Sequence, residues 1–251
     1  DVVDTARTTA QAAGKEGWTL TLKMPCYLPV MQHARDRRVR EQLYRGYGTI
    51  ASDQGDTRYD NSQLIEQLLT LRAEEAGLLG FDSFADMRLE TRMADSPAQV
   101  LEFLRELAAR ARPYGERDLA ELREFAAREL GIDTLEPWDI PFASERLREA
   151  RYAYSEEEVR QYFTEPRVLE GLFDVVGRLF DVRLRPVDVP VWHEDARAYD
   201  VHDASGESLG TLYLDLYARQ GKQSGAWVDS ERSRRRTPAG LHTPVVYLTC
   251  N

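Results

Sequence analysis

Val245-Val246-Tyr247-Leu248-Thr249-Cys250-Asn251 reads as a buried strand that stops without a turn, a cap or a polar tail. Upstream, the run Leu209-Gly210-Thr211-Leu212-Tyr213-Leu214-Asp215-Leu216 alternates. Leu209, Thr211, Tyr213, Asp215 and Tyr217 share one face and Leu212, Leu214 and Leu216 the other, the period-two pattern of a half-buried strand. Val187 to Trp192 and Ala198 to His202 are also strand-like, and Asp203-Ala204-Ser205-Gly206 supplies a hairpin turn. The region 184–251 is therefore expected to be a small, β-rich region with an antiparallel sheet.

Ahead of it, residues 1–183 read as mostly helical, so the fold class is mainly α with a small antiparallel β-sheet (α+β). Val39, Leu43, Tyr44, Tyr47, Ile50 and Ala51 recur at three- and four-residue steps, as do Leu64, Ile65, Leu68, Leu69, Leu71 and Ala76 before Gly80. Asp60-Asn61-Ser62 reads as the cap of that second helix. Ser96-Pro97-Ala98-Gln99 is the clearest helix start: a capping hydroxyl, a proline where no N–H is needed, and a Gln positioned to close a capping box. Val100, Leu101, Phe103, Leu104 and Leu107 form an apolar stripe behind it. Pro113 is expected to end or kink that helix, because it lacks the N–H and crowds the preceding turn. Leu119 to Leu130 continue the pattern to Gly131. Ser155-Glu156-Glu157-Glu158 looks like another capped start, and Val168, Leu169, Leu172, Phe173, Val176, Leu179 and Phe180 make a last amphipathic helix. Residues 17–23 are the exception, alternating like a strand and running into Pro25 and Pro29.

The chain has 251 residues and a formal charge of −10. With a pI near 5.1, nucleic acid is not an expected partner, since its binding needs a net basic face. The arginines at 232, 234, 235 and 236 read as a solvated loop tip. Cys26 and Cys250 stand far apart in apolar surroundings, which favours free thiols and a reducing, cytoplasmic compartment. No apolar run is long enough to span a bilayer, and no membrane partner is expected.

The residues that could carry chemistry are sparse. His33, His193, His202 and His242 include no pair at the spacing that puts two imidazoles on one helical face for a metal. Nucleophile-elbow, phosphate-loop and dinucleotide signatures are missing. The sequence offers no catalytic residue and no metal ligand set of its own. Gly221-Lys222-Gln223-Ser224-Gly225-Ala226-Trp227 is the one stretch where backbone is expected to approach a ligand closely.

Several stretches taken together resemble the thimet oligopeptidase, oligopeptidase A and dipeptidyl carboxypeptidase family of zinc metallopeptidases. They are Lys15 to Leu22 with Tyr27-Leu-Pro-Val-Met31, Ala51-Ser-Asp-Gln-Gly55, Asp60-Asn61-Ser62, Leu78-Leu-Gly-Phe81 and Pro137-Trp-Asp-Ile140. Tyr213-Leu-Asp-Leu-Tyr-Ala-Arg219, Gly225-Ala226-Trp227 and Tyr247-Leu-Thr-Cys-Asn251 complete the series in the family's order. Ser224 departs from the glycine usual there. The resemblance implies part of a two-lobed zincin-like oligopeptidase that hydrolyses short peptides by metal-activated water. It also implies zinc in the full-length protein and none in this chain, because the family's His-Glu-x-x-His helix would follow the strand ending at Asn251. The missing catalytic part of the same protein is then an expected partner, and these residues alone are expected to be inactive. By analogy with substrate pairing in such peptidases, Gly225, Ala226 and Asn251 are the expected substrate-binding positions. The alternative is a non-catalytic module, a degenerate homologue that binds peptides or a protein.

Overall fold

The computed structural model describes residues 2–153, 156–219, 221–223 and 225–250. The chain divides into two compact units, one of residues 1–22 and 26–152 and one of residues 23–25 and 153–251.

The first unit is helical: α1 (Val2–Ala12), α2 (Met24–His33), α3 (Arg37–Gly48), α4 (Ser62–Leu78), α5 (Phe84–Leu89), α6 (Pro97–Leu130) and α7 (Ile140–Tyr152). Its best-packed part groups Cys26, Val30, Met31 and Leu43 with Leu22, Tyr27, Val39 and Trp138. The strand expected at 17–23 is not formed; those residues are irregular and lead into α2. Pro25 stands in the first turn of that helix, where its missing N–H costs nothing, and Cys26, Val30 and Met31 share the buried face. Ser96 Oγ accepts the Gln99 N–H at 3.2 Å, as its position predicts. Gln99 Oε1 in return accepts the Asp95 N–H at 2.7 Å, one residue outside the usual capping box. At the start of α4 the bonding oxygen is on Asp60, which accepts the Ser62 N–H and hydroxyl at 2.9 and 2.7 Å.

Helix α6 runs unbroken for 34 residues with Pro113 inside, and Gly131 stops it in the left-handed conformation. Its C-terminal part packs on α7 through Leu122, Ala126 and Ala143. The apolar stripe of its first turns is not buried: Leu101, Phe103, Leu104 and Leu107 are exposed, as are Leu64, Ile65, Leu68, Leu69 and Leu71 of α4. Periodicity specifies an apolar face, whereas burial needs another surface against it.

The second unit contains α8 (Glu156–Arg160) and α9 (Glu165–Phe180), followed by β1 (Arg183–Val187), β2 (Arg197–His202), β3 (Ser208–Asp215), β4 (Trp227–Arg232), β5 (Arg235–Thr237), β6 (Gly240–His242) and β7 (Val245–Thr249). The helix cap expected at Ser155 lies outside the described residues. The β2–β3 hairpin forms at the expected turn, with the Asp203 carboxylate accepting the Glu207 N–H at 2.9 Å. Phe173 of α9 meets Tyr199 of β2 edge-on, the ring centroids 4.9 Å apart.

The α+β class holds, but the sheet is mixed rather than wholly antiparallel. Its strand order is β1-β2-β3-β7-β4. β3 and β7 are parallel, from Thr211 opposite Val245 to Asp215 opposite Thr249, while every other neighbouring pair in this sheet is antiparallel. Residues 216–244 form a long excursion between β3 and β7, and only a long connection lets two neighbouring strands run the same way. Gly210 permits the close approach at the start of that pairing, because a Cβ there would lie 2.8 Å from the Pro244 ring and 2.9 Å from its carbonyl oxygen. The excursion carries β4 to the outer side of β7, and β5 pairs with β6 in a separate two-stranded sheet. The arginine-rich stretch thus belongs to strand ends. Arg234, Arg235 and Arg236 remain solvated as expected, and Arg232 Nε donates to the Thr243 carbonyl at 2.7 Å.

Candidate functional site

Strand β3 ends in Asp215, whose side chain is buried, and the described residues that follow it leave regular secondary structure until β4 begins at Trp227. Three donors converge on its carboxylate. Arg219 binds both oxygens at 2.7 Å, Lys222 Nζ binds Oδ1 at 2.9 Å, and Trp192 Nε1 binds Oδ2 at 2.9 Å. Arg219 is the chief cause of an acidity held well below the ordinary aspartate range. Burial opposes the shift, and the Lys222 and Trp192 bonds add to it.

Lys222 also reaches three backbone carbonyls: Asp215 at 3.0 Å, Tyr217 at 2.8 Å and Cys250 at 2.5 Å. The Cys250 N–H in turn donates to the Asp215 carbonyl at 2.8 Å. Farther along, the Tyr217 hydroxyl donates to Glu165 at 2.6 Å, the carboxylate that also pairs with Arg197 at 2.8 Å. Charge-assisted bonds thus tie Tyr217, Arg219 and Lys222, which lie outside regular secondary structure, to the ends of β3 and α9.

The polar face of the sheet carries an aromatic group. Trp192 lies over Tyr213 and Tyr247 with centroid separations of 5.6 Å each, and the two tyrosines are 5.3 Å apart. Tyr247 donates its hydroxyl to Glu231 at 2.7 Å, a bond that is the main reason its phenol is pushed up to about 12.

Of the three expected substrate-binding positions, Gly225 and Ala226 lie immediately before β4. Gly225 has φ +117°, a conformation L side chains rarely adopt, although a Cβ there would meet no atom within 4 Å. Asn251 lies outside the described residues. Strand β7, which leads to it, has β3 on one side and β4 on the other, so its backbone over 245–249 is already taken up within the sheet. The edge of this sheet that lies beyond β7 belongs to β4. A bulge follows Ser230, and its residues past Trp227 are exposed. At the opposite edge, β1 carries Pro186, a residue that blunts strand addition. Sequence reading missed β4 and the Asp215 cluster. The signal available for the cluster was an aspartate closing an apolar strand, with Arg219 and Lys222 just beyond it.

No three His, Cys, Asp or Glu side chains among the described residues form a group able to hold a metal ion. Individual histidines have other partners: Arg146 donates to His33 Nδ1 at 3.0 Å, and the Asp195 N–H donates to His193 Nδ1 at 3.2 Å. Among the described residues, then, no donor set fits zinc.

Residues 30–251 match the family model of Peptidase family M3, and the chain belongs to that family. Among curated relatives, it is 47% identical over 250 residues to oligopeptidase A of Escherichia coli, covering 98% of this chain and 37% of that protein. It is 41% identical over 245 residues to the organellar oligopeptidase A of Arabidopsis thaliana, covering 93% of this chain and 30% of the relative. To the dipeptidyl carboxypeptidase of E. coli it is 33% identical over 252 residues, with 96% and 36% covered. The chain thus spans between 30% and 37% of the length of these relatives.

Proposed function

We propose that this chain is part of a zinc metallo-oligopeptidase acting on short peptides. Within it, the edge strand Trp227–Arg232, led in by Gly225 and Ala226, takes the extended substrate backbone as an additional strand. The open edge of β4 carries this reading: its outward N–H and C=O groups offer a peptide main-chain hydrogen bonds irrespective of side-chain sequence. Membership of Peptidase family M3 and the names of the relatives support the peptidase part. In this reading the part of residues 1–251 is to bind and orient the peptide. The metal ligands and the water-activating carboxylate are assigned to the rest of the enzyme.

A cytoplasmic location accords with Cys26 and Cys250 as free thiols. No helix among the described residues is long and apolar enough to cross a membrane.

The test uses the full-length protein and a fluorogenic short peptide. Wild type is expected to hydrolyse it, while residues 1–251 alone show neither hydrolysis nor stoichiometric zinc. Gly225→Pro, which cannot adopt φ +117°, is expected to raise KM about tenfold, roughly 1.4 kcal/mol of lost binding, with kcat little changed. An unchanged KM removes the edge-strand reading. Peptide binding without hydrolysis by the wild-type full-length protein selects the non-catalytic binding module instead.

A further inference from the structure

Lys222 is an unusual cation for a segment outside regular secondary structure: its side chain is only 5% exposed. Long charged side chains avoid such burial unless every proton finds an acceptor. Here one ammonium, with three protons and no acceptor capacity, faces Asp215 Oδ1 and the carbonyls of Asp215, Tyr217 and Cys250 at 2.5–3.0 Å.

The positions of those oxygens give the contact its meaning. Asp215 is the last residue of β3, and Cys250 is the first residue past β7, the parallel neighbour of β3. Tyr217 belongs to the segment leaving β3. Lys222 itself stands three residues before Gly225 and five before Trp227, where the edge strand begins. A single nitrogen therefore joins the ends of two adjacent strands to the segment that delivers β4. An arginine would not reproduce this, because its planar fork suits a carboxylate edge, whereas a lysine is a compact centre with three rotatable donors. The role of Arg219 is separate. It occupies both oxygens of Asp215, so the carboxylate keeps a charged partner when Lys222 is removed.

We propose that Lys222 is a positioning residue for peptide binding: by drawing the carbonyls of Asp215, Tyr217 and Cys250 together it anchors the chain at 221–223, just ahead of Gly225 and Ala226, and so sets where the edge of β4 is presented to a substrate backbone. This rests on the edge-strand reading above. Lys222 does not touch the peptide; it acts through the loop. Removing it leaves β4 paired with β7 but frees its leading end, so peptide binding weakens while the chemical step proceeds as before.

The experiment uses the full-length enzyme and begins with wild type and Gly225→Pro. If wild type does not hydrolyse the peptide, or Gly225→Pro leaves KM unchanged, the underlying reading has failed, and the inference falls with it. If both behave as expected, Lys222→Met, close in length but uncharged, is expected to raise KM about tenfold with kcat within about threefold. Amide hydrogen exchange at 221–226 should accelerate at least about tenfold, with β2 and β3 unaffected. Lys222→Ala supplies a second measurement: added propylammonium should recover part of the lost affinity, whereas tetramethylammonium, which has no N–H, should not. Asp139→Asn, a destabilising change in the helical unit, should leave KM within about twofold at a temperature where all variants are folded. A wild-type KM in Lys222→Met overturns the proposal. So does an equal rise in KM for Asp139→Asn, or rescue by both ammonium ions alike.

Discussion

Asp139 in the helical unit and Asp215 in the sheet unit are both buried carboxylates met by two cations, yet they hold different kinds of structure together. Asp139 joins parts of the chain about a hundred positions apart. Arg37 and Arg40 of α3 bind it at 2.6 and 2.7 Å, and Arg40 is only 1% exposed. The Glu136 N–H also donates to it at 3.1 Å. That arrangement fastens α3 to the short turn before α7. Asp215 instead gathers Arg219 and Lys222 from within seven residues of itself, together with Trp192 and the end of β7. The first cluster fixes which helices touch, and the second fixes the course of a loop. A buried charge is costly in either place, but what it specifies depends on how far along the chain its partners lie.

The largest effect is expected of Asp139→Ala. It takes the counterion from the buried Arg40 guanidinium, which keeps only the Ala34 and Arg35 carbonyls at 2.6 and 3.3 Å and the Phe142 ring at 4.3 Å. A loss of about 3–5 kcal/mol is expected, as for other broken buried pairs, read from the denaturant unfolding midpoint. A loss under about 1 kcal/mol would mean that apolar packing alone holds α3 in place.

Asp215→Asn should cost less, roughly 1–3 kcal/mol. Arg219 is partly solvated, with 24% of its side chain exposed, and Lys222 keeps its three carbonyls. The effect of this substitution depends on pH. The folded Asp215 carboxyl is held below its ordinary value, chiefly by Arg219. Its contribution is therefore complete above the unfolded value of about 3.9 and is lost as pH falls through the folded one. The stability gap between wild type and Asp215→Asn should be flat from neutral pH to about 5 and close in stronger acid. A gap that widens on acidification would reverse the assignment. Asp139 is subject to the same sign: burial alone would raise it, and the Arg37, Arg40 and Glu136 bonds outweigh that.

The smallest effect belongs to Tyr247→Phe, which removes a bond to exposed Glu231 and should cost less than about 1 kcal/mol. Because the folded phenol is raised to about 12 by that bond, any advantage of wild type is complete below about pH 10 and lost as pH climbs towards 12. A larger effect at neutral pH would show that the polar sheet face contributes to stability as the two buried carboxylates do.

Much of the architecture was legible where local signals decide it. Ser96 capped α6 and Gly131 stopped it, and the Asp203–Gly206 turn joined β2 to β3 as read. Residues 17–23 misled because three alternations without a neighbouring strand are not a sheet, while Pro25 and Pro29 proved compatible with α2. Strands β4, β5 and β6 were hidden because glycine and arginine composition suggests loops, and pairing alone makes those segments strands. Of the candidate site, Gly225 and Ala226 were picked out by flexibility and likeness. The lysine that anchors their loop was invisible, since its acceptors come from Asp215, Tyr217 and Cys250 together.

Sequence alone specified the start and stop of α6, the turn between β2 and β3, and, through ordered motifs, kinship with a peptidase family. These depend on backbone groups within about four residues of each other or on the identity and order of residues. Only the tertiary structure decided that β7 lies inside the sheet and parallel to β3, that β4 is the edge, that the apolar stripes of α4 and early α6 are exposed, and that Asp139 and Asp215 are buried among cations. Each of these depends on which distant surface arrives to exclude water or complete a hydrogen bond, and no local pattern encodes that arrival.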